Sequence, residues 1–389
     1  MKIYTSSLLG INIALMNKFS SNNRWIYDKS ALINQANKWS KDIPWIKPYY
    51  AVKSNPLSYM LEDLIHYKCA TNEETTEYPI YEKEKNENRE PFHFGLDVAS
   101  IKETNDALKY TTLENTIYTN PHTIPHEIDS NAIEYNIKVV DSICELELLH
   151  KHNIKCPILI RMNSGVNIAT INLNSKFGAS RDEAYDIVNL ALKYGYVVKG
   201  VSFHIGSGGT YSRKEAFQSA YYINALPILK YIQLFTKQKL ILNIGGGFLY
   251  NTDLKEALGW TKELQFTMIA EPGRYFSEPS HHLATQVIAM NRKGIFLDNG
   301  VYHELNCFHR DHWTMPKLIH FVHNGIINNV KSYKQSEIFG PTCDSYDTIG
   351  THEFPSDIKV GDWILLPNMG AYTNAGLVNF NGIKGASTH

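Results

Sequence analysis

The 389-residue sequence predicts an α/β fold, a (β/α)8 TIM-like barrel joined to a second, all-β domain. Short apolar runs alternate with segments of helical period between residues 28 and 272, and the runs number eight, the count of a closed barrel. Beyond residue 272 the alternation stops, and short apolar runs separated by turn residues replace it. The predicted division is therefore 28–272 for the barrel and 1–27 plus 273–389 for the β-rich domain.

In chain order the strand candidates are 48–52, 92–97, 116–118, 138–140, 157–161, 200–204, 240–244 and 267–270. Helical patterns fall between them at 30–40, 100–109, 142–150, 181–194 and 214–235, as crossovers between parallel strands require. Residues 71–91 are a charged stretch, read as a solvated insertion before the second strand. In the β-rich part the runs are Phe276, 283–290, 294–297 and 363–366, with helical period only near 315–321.

Composition bounds the function. Hydrophobic residues make up 43% and charged residues 20%, an ordinary globular balance, and the net charge of -1 offers no field for nucleic acid or an anionic membrane. The apolar stretch 8–16 is interrupted by Gly10 and Asn12, so it reads as strand or loop and not as a signal peptide. No run approaches the roughly 18 apolar residues of a membrane span. Five scattered cysteines make a disulfide framework unattractive and suit a reducing, cytoplasmic setting; Cys69, Cys144 and Cys156 read as buried structural thiols.

In a parallel barrel the reactive groups stand where strands end. Lys53, Asp97, Arg161, His204, Gly245 and Glu271 all occupy such positions. Taken singly each has a plain reading. A lysine after a strand is usually a surface residue, a triple glycine is a tight turn, an acid near an arginine is a surface ion pair, and a lone histidine is a satisfied core residue. Their combination is different. Lys53 offers an amine to an aldehyde, Gly245-Gly246-Gly247 leaves backbone N–H groups bare for a phosphate, Arg274 can pair with that phosphate, and Glu271 can face a protonated ring nitrogen. These are the parts of a pyridoxal 5'-phosphate site. His303, Cys307, His309 and His312 are clustered in sequence but match no common zinc spacing, and no metal is expected.

The blocks Tyr50-Ala51-Val52-Lys53-Ser54-Asn55, Phe203-His204-Ile205-Gly206-Ser207-Gly208, Ile244-Gly245-Gly246-Gly247-Phe248 and Glu271-Pro272-Gly273-Arg274 resemble those of the alanine-racemase-fold, pyridoxal-phosphate-dependent decarboxylases. Gly340-Pro341-Thr342-Cys343-Asp344-Ser345, Asn368-Met369-Gly370-Ala371-Tyr372-Thr373 and Phe380-Asn381-Gly382 are similar to the eukaryotic-type ornithine decarboxylases among them.

That resemblance implies decarboxylation of L-ornithine to putrescine, with another basic amino acid (arginine or lysine) or an inactive regulatory homologue of antizyme-inhibitor type as alternatives. It implies that Lys53 carries the cofactor, that Asp97 and Glu103 support it, and that His204 stacks on the ring. Glu271 would bind the ring nitrogen, and Ser207, Gly247, Arg274 and Tyr372 would hold the phosphate, with Arg161, Gly245, Gly246 and Gly273 completing the cofactor site. Cys343 would be the proton donor, and Asp311, Asp344, Arg310 and Phe380 would meet the substrate. Cys343 and Asp344 would enter from the other subunit of a homodimer. Arg310 and His309 depart from the aromatic and aliphatic residues usual beside that aspartate, and Asn243 replaces the usual Asp.

Overall fold

The computed structural model describes residues 25–67, 93–128, 135–167, 169–209, 211–315, 320–323, 326–328 and 332–386. The 71–91 stretch and Cys69 lie outside them. After a short strand β1 (Trp25–Tyr27), eight parallel strands close a barrel: β2 (Ile46–Ala51), β3 (Gly95–Val98), β4 (Thr116–Tyr118), β5 (Lys138–Val140), β6 (Ile158–Met162), β7 (Val198–Phe203), β8 (Ile241–Asn243) and β9 (Thr267–Ala270). Closure is made by β9 against β2, with Ile46 opposite Met268. All eight runs read as strands are strands.

Helices cross between them, and their starts are set by small polar residues. Asp28, Ser100, Ser142, Ser180, Ser212 and Asp253 each accept a backbone N–H at an N-cap, and Ser180 with Glu183 completes a capping box. The segment read as one helix over 214–235 is instead Arg213–Ser219, a π-helical stretch Ala220–Ala225, and Leu226–Ile232. Pro227 has no N–H to close the ordinary helical bond, which is why the bonding pattern changes there.

Tyr49, Ile117, Val139, Leu159 and Ile269 fill the barrel interior. Gly95 makes room for the Tyr49 ring, since a Cβ there would stand 2.4 Å from it. The helix-facing sides of the strands form the larger core, with Trp39, Tyr50, Phe203, Phe217 and Phe276 among its fully or almost fully buried rings.

The second sheet runs in the order β13-β12-β16-β10-β11-β14-β15, with β1 pairing β10. Its strands are β10 (His281–Asn291), β11 (Gly294–Leu297), β12 (His320–His323), β13 (Ile326–Asn328), β14 (Tyr333–Phe339), β15 (Thr348–Pro355) and β16 (Trp363–Leu366). Pairing is antiparallel except between β11 and β14.

Three local readings are corrected. Phe276, expected in a β run, lies in the helical turn Arg274–Ser277, because the chain leaving β9 tucks it into the barrel core. Of the helical period read near 315–321, residues 316–319 lie outside the described residues, while His320 and Phe321 open strand β12 and pair with β16. Cys144, expected to be buried, is exposed near the start of the helix Ile143–Lys151, whose inner face is taken by Leu146 and Leu149.

The two parts are stitched beside Lys53. Tyr372 N donates to Ser54 O at 2.8 Å, Asn55 Nδ2 to Gly370 O at 3.0 Å, and Asn374 Nδ2 to Asn55 Oδ1 at 3.0 Å. The loop after β16 is thus pinned to the loop after β2. Among the described residues no helix is long and apolar enough to cross a membrane.

Candidate active site

The carboxyl ends of the barrel strands open into a cavity of about 590 Å³, an ordinary size for a bound small molecule. Lys53, Asp97, Arg161, His204, Ser207, Gly246, Gly247, Glu271, Gly273, Arg274, Arg310, Asp311 and Tyr372 all line it. Glu103 does not. Its carboxylate accepts the Ala99 N–H at 2.7 Å and braces the turn after β3 from behind the wall. Gly245 is likewise absent from the lining: its backbone O accepts the Glu271 N–H at 2.7 Å, tying the turn after β8 to the end of β9.

Lys53 follows β2, and its Nζ donates to Asp97 Oδ2 at 2.8 Å. Burial alone would push the ammonium to lose its proton, but Asp97 and Glu271 outweigh it and hold the lysine above its usual pKa. Asp97 is fully buried and is fixed from its other oxygen by the Thr119 hydroxyl. Lys53 keeps 43% of its side chain open, which is the part facing the cavity.

His204 caps β7. Its Nδ1 accepts the Gly206 N–H at 2.9 Å, which leaves the proton of the neutral ring on Nε2. Burial, with Arg161 and Lys53 nearby, depresses its pKa to about 3, so the ring is uncharged and suited to lie against another flat ring. Arg161 stands 4.9 Å over the Phe177 ring.

Glu271 directly follows β9. Burial and the neighbouring Asp97 raise its pKa to about 7, while Lys53, Arg161 and the Asn243 amide act the other way. Asn243 explains its own departure from the family pattern. Its Nδ2 donates to Glu271 Oε1 at 2.6 Å and its Oδ1 accepts the Gly245 N–H at 2.9 Å. An aspartate there could not donate to a second carboxylate.

Arg274 Nε donates to Ser207 Oγ at 3.3 Å, and its guanidinium lies 5.1 Å from the Tyr372 ring centre. Its Nη2 bonds both oxygens of Asp311, at 2.6 and 2.5 Å. His309 turns away, stacking on Tyr346 at 5.0 Å and meeting Thr348 O at 2.8 Å, whereas Arg310 faces the cavity. His303 and Cys307 are buried, and no group of three or more His, Cys, Asp or Glu that could hold a metal occurs among the described residues.

Cys343, Asp344 and Phe380 do not line this cavity. They form a separate cluster on the β-rich part, with Cys343 and Phe380 exposed and Asp344 half-buried. Cys343 Sγ lies 3.4 Å from Asn381 Oδ1, Phe380 stacks on Tyr302 at 4.3 Å, and the Tyr302 hydroxyl donates to Asp344 Oδ2.

A family model for the pyridoxal-binding domain of pyridoxal-dependent decarboxylases matches residues 92–278. The chloroplastic ornithine decarboxylase of Nicotiana glauca is 28% identical and aligns over 92% of this chain and 81% of its own. The ornithine decarboxylase of Candida albicans is 29% identical, covering 94% and 82%. Among solved structures, the lysine decarboxylase of Selenomonas ruminantium superposes with a TM-score of 0.78 at 25% identity, covering 99% of this chain and 96% of that one. The arginine decarboxylase of Paramecium bursaria Chlorella virus, bound to agmatine, shares the fold with a TM-score of 0.78 at 24% identity and coverage of 96% and 97%.

Residues 92–278 thus match the pyridoxal-binding domain of pyridoxal-dependent decarboxylases, and the chain is similar to ornithine decarboxylases over most of its length. Pyridoxal 5'-phosphate is the cofactor of this decarboxylase, and the residues present fit it. A Cβ on Gly246 would lie 2.6 Å from His204 Nε2 and 3.0 Å from Glu271 O, so only a glycine leaves the cavity floor clear for the group. Lys53 lies before the matched span, on the cavity wall where its amine meets Asp97.

Tyr302 was not singled out from the sequence. Nothing in its own neighbourhood marks it, and it meets Asp344 only across 42 residues of chain.

Proposed function

We propose that the decarboxylase converts L-ornithine to putrescine and CO2, in polyamine biosynthesis, as a cytoplasmic homodimer with shared active sites. The observation that carries this reading is one cavity holding both a cofactor end (Lys53, His204, Glu271, Arg274) and a second carboxylate, Asp311, suited to a distal ammonium. Its curated relatives named as ornithine decarboxylases support the same substrate.

When bound, the cofactor would supply an electron-withdrawing ring for the electron pair left as CO2 departs. Lys53 would hold it through its side-chain amine. Glu271 would face the ring nitrogen and favour its protonated form, and the neutral His204 would cover a ring face without adding charge. Ser207, Gly247, Arg274 and Tyr372 grip the phosphate. The exposed Cys343, reaching the cavity of a second copy, returns a proton to the substrate carbon. Asp344 of that second copy holds the distal amine together with Asp311. The Tyr302 and Phe380 rings brace that loop, and the exposure of Phe380 in a single chain suits insertion into a neighbour.

Lysine or arginine is the second reading, favoured by one observation: Arg310 faces the amine end, where a cation changes what length of substrate fits. Measuring CO2 release from ornithine, lysine, arginine and diaminopimelate side by side decides between them. Preference for ornithine is expected. A higher kcat/KM for lysine or arginine would replace it, and turnover of diaminopimelate alone would refute the distal-ammonium reading.

A further inference from the structure

Arg274 bridges two polar groups of the cavity lining, Ser207 and Asp311. On one side its Nε meets Ser207, beside Gly247 and Tyr372, the groups placed to hold a phosphate. On the other its Nη2 takes both oxygens of Asp311, the carboxylate facing the amine end. Both side chains are nearly buried, with 9% of Arg274 and 7% of Asp311 exposed. The remaining nitrogen, Nη1, lies 3.7 Å from Glu278, so this guanidinium already faces two carboxylates.

We propose that Arg274 and Asp311 form a relay that makes phosphate and a distal ammonium bind cooperatively. The relay rests on the reading of Asp311 as the amine-end group. One buried guanidinium cannot fully neutralise a phosphate and Asp311 together, because in a poorly solvated site each anion feels the other. Phosphate arriving alone draws the cation toward itself and leaves Asp311 under-compensated. An ammonium arriving at Asp311 removes that penalty and frees Arg274 for the phosphate. Charges then alternate along the cavity: phosphate, Arg274, Asp311, ammonium. By linkage the two ligands must help each other by the same factor, commonly about 5- to 150-fold for coupled sites.

The test uses the full-length chain freed of cofactor, so that no aldehyde chemistry intervenes. Inorganic phosphate is titrated by calorimetry at fixed ionic strength, alone and with saturating 1,4-diaminobutane, with 1-aminobutane as the control for a single ammonium. The reverse titration, diamine with and without phosphate, is run in parallel. Phosphate should bind at least about 5-fold tighter with the diamine, the reverse factor should match, and Asp311→Asn should bring both factors to one. A merely structural role for Asp311 would weaken phosphate binding equally with and without diamine, leaving the ratio untouched, and would overturn the relay. Diamine binding with unchanged phosphate affinity in the unaltered chain would overturn the relay alone. No diamine binding at all would overturn both the relay and the amine-end reading. Because the reciprocal titrations need no variant, a poorly folding Asp311→Asn protein still leaves a decisive result.

Discussion

Lys53 Nζ donates to Asp97 Oδ2 at 2.8 Å, and the receiving carboxylate is fully buried and fixed again by Thr119. The charge on Lys53 is therefore held by a partner that cannot relax away. Asp97→Asn removes that hold while burial persists, so the lysine should lose its proton at lower pH. Capture of pyridoxal phosphate, followed by absorbance across a pH series, should reach its half-maximal rate about one pH unit or more lower in Asp97→Asn. An unchanged profile would show that Asp97 does not set the state of Lys53.

Glu271 yields a stability prediction. Its folded pKa of about 7 lies above the ordinary carboxyl value, for burial first and Asp97 second. A carboxyl raised on folding favours the folded state below its unfolded pKa, and that contribution is lost as pH climbs through the folded value. Cofactor-free protein should thus lose stability between about pH 4.5 and 7 through this group, by something on the order of 1 kcal/mol once cavity solvent is allowed for. Glu271→Gln should flatten that part of the curve in urea unfolding. Asn243→Asp, which turns a 2.6 Å donor into a like charge, should steepen it and move it to higher pH. Equal slopes in all three proteins would remove Glu271 from the account.

The shared site is tested by mixing. Lys53→Ala and Asp344→Ala chains should each be nearly inactive. Random reassortment gives about half heterodimers with one intact site of two, so about a quarter of normal activity should return. No recovery after subunit exchange, shown to have occurred by differently tagged chains, would place Asp344 in its own chain's cavity or outside the site.

Much of this was legible in the sequence. All eight barrel strands could be read because apolar runs such as Tyr49-Tyr50-Ala51-Val52 are bounded by turn residues, and their ends placed Lys53, Asp97, His204 and Glu271 on one rim. What could not be read depends on side chains meeting across long separations. Arg274 reaches Asp311 over 37 residues, and Tyr302 reaches Asp344 over 42. Glu103 has the right position in the chain, but the helix starting at Ile101 turns it to the Ala99 N–H and not to the cavity. Asn243 stands where an Asp is usual, and only its contact with Glu271, 28 residues away, shows what its amide does. The π-helical stretch before Pro227 spans only Ala220–Ala225, too short to stand apart from the helical pattern on either side.

Arg310 bears on substrate choice. It faces the cavity beside Asp311, and Gly376 gives it room, since a Cβ there would lie 2.3 Å from its Nη1. Arg310 is exposed, and a second cation about 4 Å from a bound distal ammonium costs about 1 kcal/mol even in water. Arg310→Tyr should lower KM for ornithine by roughly 5- to 10-fold with kcat little changed. A rise in KM would instead make Arg310 a residue that helps hold the substrate.

The central claim is that Lys53 is the amine that carries the cofactor. Holoenzyme reduced with borohydride and digested should yield a single pyridoxyl-labelled peptide, modified at Lys53, and Lys53→Ala protein should yield none. A label on any other lysine, or labelling that survives Lys53→Ala, would contradict the account.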